Sequence, residues 1–211
     1  MLRPSNEAGP AATTRLRRTI STGHSGRSEV VVVFMSVKIY TRKGDDGTTG
    51  LLHGGRVRKD SAVPEALGAV DEAQSAIGVA RSLADGEVHT ILTRSAADLW
   101  TVMAEIAENP ERARATTDAL TDRVAAMERA IDDVATRFDM PTDFVVPGAT
   151  LLSAHIDVAR AAVRRAERSA VRAGSQRHAV VYLNRLSDLL WALARFTEQD
   201  STLAKDVARD S

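Results

Sequence analysis

The chain has 211 residues, enough to bury a proper core, and its 28 basic residues balance 28 acidic ones, which argues against nucleic acid or a membrane surface as the main partner. Aromatic residues make up 4%, which argues against aromatic platforms for bases, and the absence of cysteine excludes a disulfide framework, a thiolate metal site and a thiol nucleophile. No apolar run approaches the ~20 residues of a membrane helix, and the expectation is a soluble cytoplasmic protein.

Residues 1–34 are rich in Ser, Thr, Gly and Arg and show no helical or strand periodicity before Val30–Phe34. An Arg-rich, acid-poor leader can be an organellar transit peptide. The simpler reading is a disordered leader or a start at Met35, with Met-Ser-Val-Lys-Ile-Tyr as the natural N-terminus, which the intact mass decides.

Residues 41–50, Thr-Arg-Lys-Gly-Asp-Asp-Gly-Thr-Thr-Gly, have a composition no packed core would choose. Glycines at 44, 47 and 50 permit positive φ and close approach of a ligand, and successive N–H groups in such a turn can form an anion-holding concavity. Thr41, Thr48 and Thr49 add hydroxyls, Arg42 and Lys43 add charge, and Asp45 and Asp46 could hold a hydrated magnesium on phosphate oxygens. The spacing G-x-x-G-x-x-G is neither the Walker pattern nor the dinucleotide fingerprint. Taken alone, the loop is better read as a Gly-Asp hairpin turn between Val37–Tyr40 and Leu51-Leu52, and the odds change only with what lies downstream.

After a second basic, glycine-containing connector at 53–60, Asp60 or Ser61 is placed to cap a helix over 62–84. Further helices are predicted over 87–107 and 117–137, read as scaffold, with His89 at the surface. Phe144 lies in a connector flanked by Pro141 and Pro147, either a buried crossover or the wall of a ligand pocket. The helix predicted over 149–173 carries a stripe of small residues (Ala159, Ala162, Val163, Ala166, Ala170) and, at spacings of three and four, Arg160, Arg164, Glu167 and Arg168 on another face. Such a face is either solvated or relieved of its repulsion by an anion. The last helix, 178–199, sets Asn184, Arg185 and Asp188 among leucines, polar groups that need partners if they face a bundle. No tight metal spacing surrounds any of the five histidines.

Four stretches together resemble the PduO-type ATP:cob(I)alamin (corrinoid) adenosyltransferases. Thr41 to Leu51 looks like the family's T-[RK]-x-G-D-x-G-x-T-x-L signature. Gly68-Ala69-Val70-Asp71-Glu72 with Ile77-Gly78 is similar to its G-x-x-D-E-L-N-x-x-I-G helix, Arg160 to Arg168 to its R-x-x-x-R-R-x-E-R helix, and Tyr182 to Asp188 to its Y-L-N-R-L-S-D segment. Ala73-Gln74 replaces the usual Leu-Asn, and residues 1–34 have no family counterpart.

The resemblance implies an all-α fold, a five-helix bundle over residues 35–200 preceded by a short strand and glycine-rich loop, with 201–211 as a tail. It implies a homotrimer binding ATP at each subunit interface with the corrinoid beside it, and transfer of the 5′-deoxyadenosyl group to the cobalt of cob(I)alamin. Thr41, Arg42, Lys43, Gly44, Asp45, Gly47, Thr48, Thr49 and Lys59 carry over as ATP-binding residues, as do Arg164, Glu167, Asn184 and Arg185. Mg2+ would be held mainly by ATP. Asp188 would contact the corrinoid, and Phe144 would close its lower face and, with Arg164, act in catalysis. Asp71 would pair with Arg160 near the interface. Cob(II)alamin is an implied substrate beside cob(I)alamin, and an adenosylcobalamin-dependent mutase and a flavin reductant are the implied protein partners. A non-catalytic ATP or corrinoid carrier and a helical interaction protein are the competing readings.

Overall fold

The computed structural model describes residues 39–109, 111, 119–175, 177–198 and 201–209. The expectations for residues 1–34 fall outside these, and of the strand expected over Val37–Tyr40 only Ile39 and Tyr40 are described, neither in a strand. The chain divides into two units, residues 1–45 and 46–211, so the boundary cuts through the glycine-rich loop.

In the second unit, β1 (Thr48–Gly50) and β2 (Arg56–Arg58) are followed by α1 (Ala62–Leu83), α2 (Gly86–Ile106), α3 (Ala119–Ala135), α4 (Leu151–Arg172), α5 (Arg177–Phe196) and a short α6 (Ala204–Arg209). The five long helices form the expected bundle: α1 packs against α2 and most extensively against α4, and α5 packs against α4 and α3. The α1–α4 seam is close because both helices bury alanines, Ala66, Ala69, Ala73 and Ala80 on α1 and Ala159, Ala162, Ala166 and Ala170 on α4. Gln74, one of the two departures from the family pattern, lies half-buried and donates Nε2 to the Ala96 carbonyl on α2 at 2.7 Å. Leu183, Leu186, Leu190 and Leu193 of α5 are fully buried, each contributing roughly 1.5–3 kcal/mol of burial. Stability therefore resides in this core, and exposed side chains can change without unfolding it.

Local chemistry sets the ends. Thr150 and Ser153 form a reciprocal capping box at the start of α4, and Gly174, at φ 69°, ends that helix region as predicted. Neither Asp60 nor Ser61 caps α1 with its side chain. Ser61 occupies the N-cap position but its hydroxyl donates to the Arg58 carbonyl at 2.7 Å, and Asp60 is taken by the Arg58 guanidinium.

Functional residues take their places from this up-and-down arrangement. The Glu105 carboxylate near the end of α2 accepts from the Ala179 N–H near the start of α5 at 2.9 Å. Burial pushes that carboxyl up, against the opposing pull of the Ala179 N–H. At the other end of the bundle, Arg137 after α3 pairs with Glu87 at the start of α2 and lies over the Phe196 ring at the end of α5. No helix among the described residues is long and apolar enough to cross a membrane.

Candidate functional site

The strand pair is not where the loop's composition placed it. The hairpin joins 48–50 to 56–58, in the register Thr48↔Arg58, Thr49↔Val57 and Gly50↔Arg56, so residues 41–47 lead into it and do not form its turn. Of the three loop glycines, only Gly47 takes positive φ, at 78°, and its carbonyl accepts from the Lys59 N–H at 2.9 Å. The actual turn uses Gly54 and Gly55, at φ 96° and 91°. It is fastened to the end of α2: Leu52 N–H donates to Ala107 O at 2.8 Å, Asn109 N–H to Leu52 O at 3.2 Å, and Asn109 Nδ2 to Gly54 O at 2.8 Å.

A side chain at Gly55 would meet Asn109 Nδ2 at 2.9 Å, on a backbone that L residues rarely adopt. Gly55→Ala should therefore shift the hairpin and, on the expectation that the hairpin holds ATP, weaken ATP binding several-fold while leaving the melting temperature of the bundle nearly unchanged. Calorimetric titration with ATP beside a thermal melt checks this; unaltered affinity would separate the hairpin from the nucleotide.

Asp46 organises the approach to β1. Its Oδ1 accepts from the Thr48 N–H at 2.9 Å and the Thr48 hydroxyl at 2.8 Å, and Arg56 reaches it at 3.3 Å. The Thr48 amide, then its hydroxyl, then Arg56 hold this carboxyl below its usual range. Because the folded value is lowered, the stabilisation is present above the unfolded carboxylate range and is lost as pH falls through the lowered value. Asp46 is thus a fastener of the turn. Among the described residues no three or more His, Asp or Glu gather to hold a metal, so a magnesium ion would have to bring ligands of its own, which phosphate oxygens supply. Thr49 is half-buried and Lys59 exposed on the same hairpin.

In the first unit, Thr41 Oγ1 accepts from the Lys43 N–H at 3.4 Å, the Asp45 N–H reaches Arg42 O at 3.3 Å, and the Arg42 guanidinium lies 5.3 Å from the Tyr40 ring centre. Arg42 has φ 60°, an uncommon value for a non-glycine residue. Gly44 is half-buried and Asp45 exposed.

The second cluster joins α4, α5 and α3. Asn184 Nδ2 donates to Glu167 Oε1 at 3.1 Å; Arg185 donates to Asn184 Oδ1 at 3.2 Å, to Asp188 Oδ2 at 3.1 Å and to Glu128 Oε1 at 3.0 Å. Glu128, and after it Asp188, raise the Arg185 pKa and hold it charged. The Tyr182–Asp188 stretch therefore has two faces: Tyr182, Leu183 and Leu186 are fully buried, while Asn184, Arg185 and Asp188 form the polar network. Tyr182 keeps its proton, because burial, then the Asp98 carboxylate that it meets at 3.3 Å, push its pKa up. Glu128 was not identified from sequence, since α3 shows no cluster of chemistry; its only signal was a position one turn beyond Val124.

The arginine face of α4 is partly neutralised. Arg165 pairs with Glu72 of α1, Arg160 with Asp157 at 3.3 Å, and Arg168 donates to the Arg164 carbonyl at 3.0 Å. Arg164 is exposed, and its guanidinium has no hydrogen-bond or ion-pair partner among the described residues. Within one chain Arg160 does not reach Asp71, which is exposed on α1; their expected pairing is one between subunits.

Phe144 is 84% exposed, which overturns the buried-crossover reading of its connector. The backbone around it is nonetheless held, because Val145 bridges Leu203 in antiparallel fashion. A cavity of about 640 Å³ between α2, α3 and α5, lined by Asp98, Arg123, Met127 and Tyr182 among others, contains none of the predicted site residues.

One chain thus gathers the predicted residues into separate places. The hairpin lies where α2 ends and α5 begins, the Glu167–Asn184–Arg185 network lies along the middle of α5, and Phe144 lies beyond the end of α5.

Comparison with known proteins identifies the family. A sequence model described as cobalamin adenosyltransferase matches residues 39–197. The corrinoid adenosyltransferase of Mycobacterium leprae is 41% identical over 174 residues, 75% of this chain and 90% of that protein. The corrinoid adenosyltransferase PduO of Salmonella typhimurium is 36% identical over 169 residues, 77% of this chain but 50% of that protein, so the chain spans about half the length of this relative. Among solved structures, a phenylalanine-to-histidine variant of a PduO-type ATP:corrinoid adenosyltransferase from Lactobacillus reuteri, complexed with cobalamin and ATP, superposes with a TM-score of 0.74 at 27% identity, covering 80% of this chain and 97% of that one. With the match running from the glycine-rich loop through the last long helix, the chain belongs to the cobalamin adenosyltransferase family.

Proposed function

We propose that this chain transfers the 5′-deoxyadenosyl group of ATP to the cobalt of a corrinoid in its cob(I) state. The cobalt lone pair forms the bond to C5′, the C5′–O bond breaks, and its electron pair leaves on triphosphate. A nucleophile this strong needs no side-chain base; the protein must place C5′ over cobalt and stabilise the departing charge. The observation that supports the reading is the exposed Arg164 guanidinium, without a partner among the described residues, one turn from the Glu167–Asn184–Arg185 network and on a face where Arg160 and Arg165 are ion-paired. It is a preset cation awaiting an anion.

In this reading Thr41, Arg42, Lys43, Gly44, Asp45, Gly47, Thr48, Thr49 and Lys59 surround the triphosphate, Arg164, Glu167, Asn184 and Arg185 face the nucleotide, and Asp188 and Phe144 face the corrinoid. Mg2+ enters on ATP, where it neutralises phosphate charge.

The reading also requires more than one subunit. The hairpin is fastened near Glu105, which meets Ala179, and the Phe144 connector is fastened past Phe196. The 17 residues of α5 between those points span about 25 Å at the helical rise, so in one chain ATP on the hairpin would lie far from a corrinoid on Phe144. A homotrimer in which the hairpin of one subunit meets the helices of the next, with Asp71 and Arg160 paired across the contact, removes the discrepancy. A cytoplasmic location, supply of the cofactor to an adenosylcobalamin-dependent mutase and reduction by a flavin donor complete the proposal.

The test is anaerobic. Chemically reduced cob(I)alamin, ATP and magnesium are mixed with the protein, and the absorbance change to adenosylcobalamin is followed together with triphosphate release. Both products are expected. A folded protein that binds ATP and corrinoid yet gives neither product is a carrier, and the catalytic reading is then wrong.

A further inference from the structure

Residues 201–204 lie against the Phe144 connector: Val146 N–H donates to Thr202 O at 2.9 Å, Ala204 N–H donates to Phe144 O at 2.8 Å, and Lys205 Nζ reaches Thr142 Oγ1 at 3.3 Å. The segment is tied in turn to a buried ionic cluster. Arg195, 3% exposed, donates Nε to Glu198 Oε2 at 2.8 Å, and Nη2 to Glu198 Oε1 at 2.9 Å and to Asp157 Oδ2 at 2.7 Å. The Ser201 hydroxyl donates to the same Glu198 Oε2 at 2.8 Å.

A fork held by two buried carboxylates fixes direction as well as charge. It sets where the chain leaves α5, and therefore where 201–204 meets the connector. Phe144, 84% exposed, has almost no packing of its own to fix it; its main-chain oxygen and its neighbour Val146 do so.

We propose that Arg195 and Glu198, acting through residues 201–204, are the positioning device that sets Phe144 against the corrinoid. Arg195 touches neither substrate in this scheme. The functional half of this inference rests on the proposed adenosyl transfer; the structural half does not.

Ala204→Pro is the discriminating variant. Ala204 is the first residue of α6, where proline is tolerated, and Leu203 before it is in a β-bridge, as a residue preceding proline prefers. The substitution removes the N–H that holds Phe144 O and little else. Hydrogen exchange at the Val146 amide should accelerate by about tenfold or more while amides in α4 and α5 keep their protection. Turnover from cob(II)alamin with a reductant should fall several-fold more than turnover from cob(I)alamin, and Arg195→Lys, which keeps the charge and loses the fork, should give the same split more weakly.

A Val146 amide as protected as in the parent protein, or equal losses in the two assays, would overturn the positioning role. If the parent protein makes no adenosylcobalamin, the functional reading falls, and the exchange measurement still decides whether the clasp holds the connector. Should Ala204→Pro not fold, Arg195→Lys carries both readouts.

Discussion

Arg164→Ala should lower kcat/KM for ATP by about 10²–10³-fold, roughly 2.7–4 kcal/mol, the scale of removing one donor aimed at charge that develops in the transition state. The neighbouring arginines do not share this expectation, because Arg160 and Arg165 already have carboxylate partners. Fold is not at stake. The side chain is exposed and unpartnered among the described residues, so its loss should change stability by no more than about 0.5 kcal/mol. Steady-state kinetics beside a thermal melt separates the effects. A wild-type rate refutes the assignment, and a collapsed melting temperature would make Arg164 a structural residue.

Phe144→Ala should act on one form of the corrinoid more than the other. In the proposed reading an apolar ring beneath the corrin would keep a lower ligand off cobalt, and without that ligand's electron donation cob(II) would be easier to reduce. Truncating the ring readmits a ligand, so turnover from cob(II)alamin with a reductant should drop by about tenfold or more, at ~1.4 kcal/mol per decade, relative to turnover from cob(I)alamin. Because the ring is already 84% exposed in the chain, its removal costs little core burial. Equal losses in the two assays would argue against ligand exclusion and for a simple binding contact.

Helices were the legible part of this chain, since their apolar spacing is written in consecutive turns; α1, α2, α4 and α5 begin and end within three residues of expectation. The Arg160–Arg168 helix and the Tyr182–Asp188 stretch were also legible, because spacings of three and four put their polar groups on one face and the helix then forms as expected. Where the strands pair was not legible. Residues 48–50 find 56–58 because Gly54 and Gly55 accept positive φ and because α2 ends where Leu52 can bond to it, and the second condition exists only in three dimensions. Glu128 and the 201–204 segment were missed for the same reason. A lone glutamate on a scaffold helix and a short stretch after the last long helix become meaningful only when Arg185 and Phe144 arrive beside them.

The distance between the hairpin and Phe144 along α5 has a genetic consequence. If each reaction centre takes its hairpin from one subunit and its Phe144 from the next, an allele damaged at the hairpin and an allele damaged at the connector are inactive alone for different reasons. Assembled together, they still form some centres from two undamaged halves. Two alleles damaged at the same end form none. Severity of variants in this protein would then depend on which pair of alleles a cell carries, and a single per-residue scale of harm would misorder them.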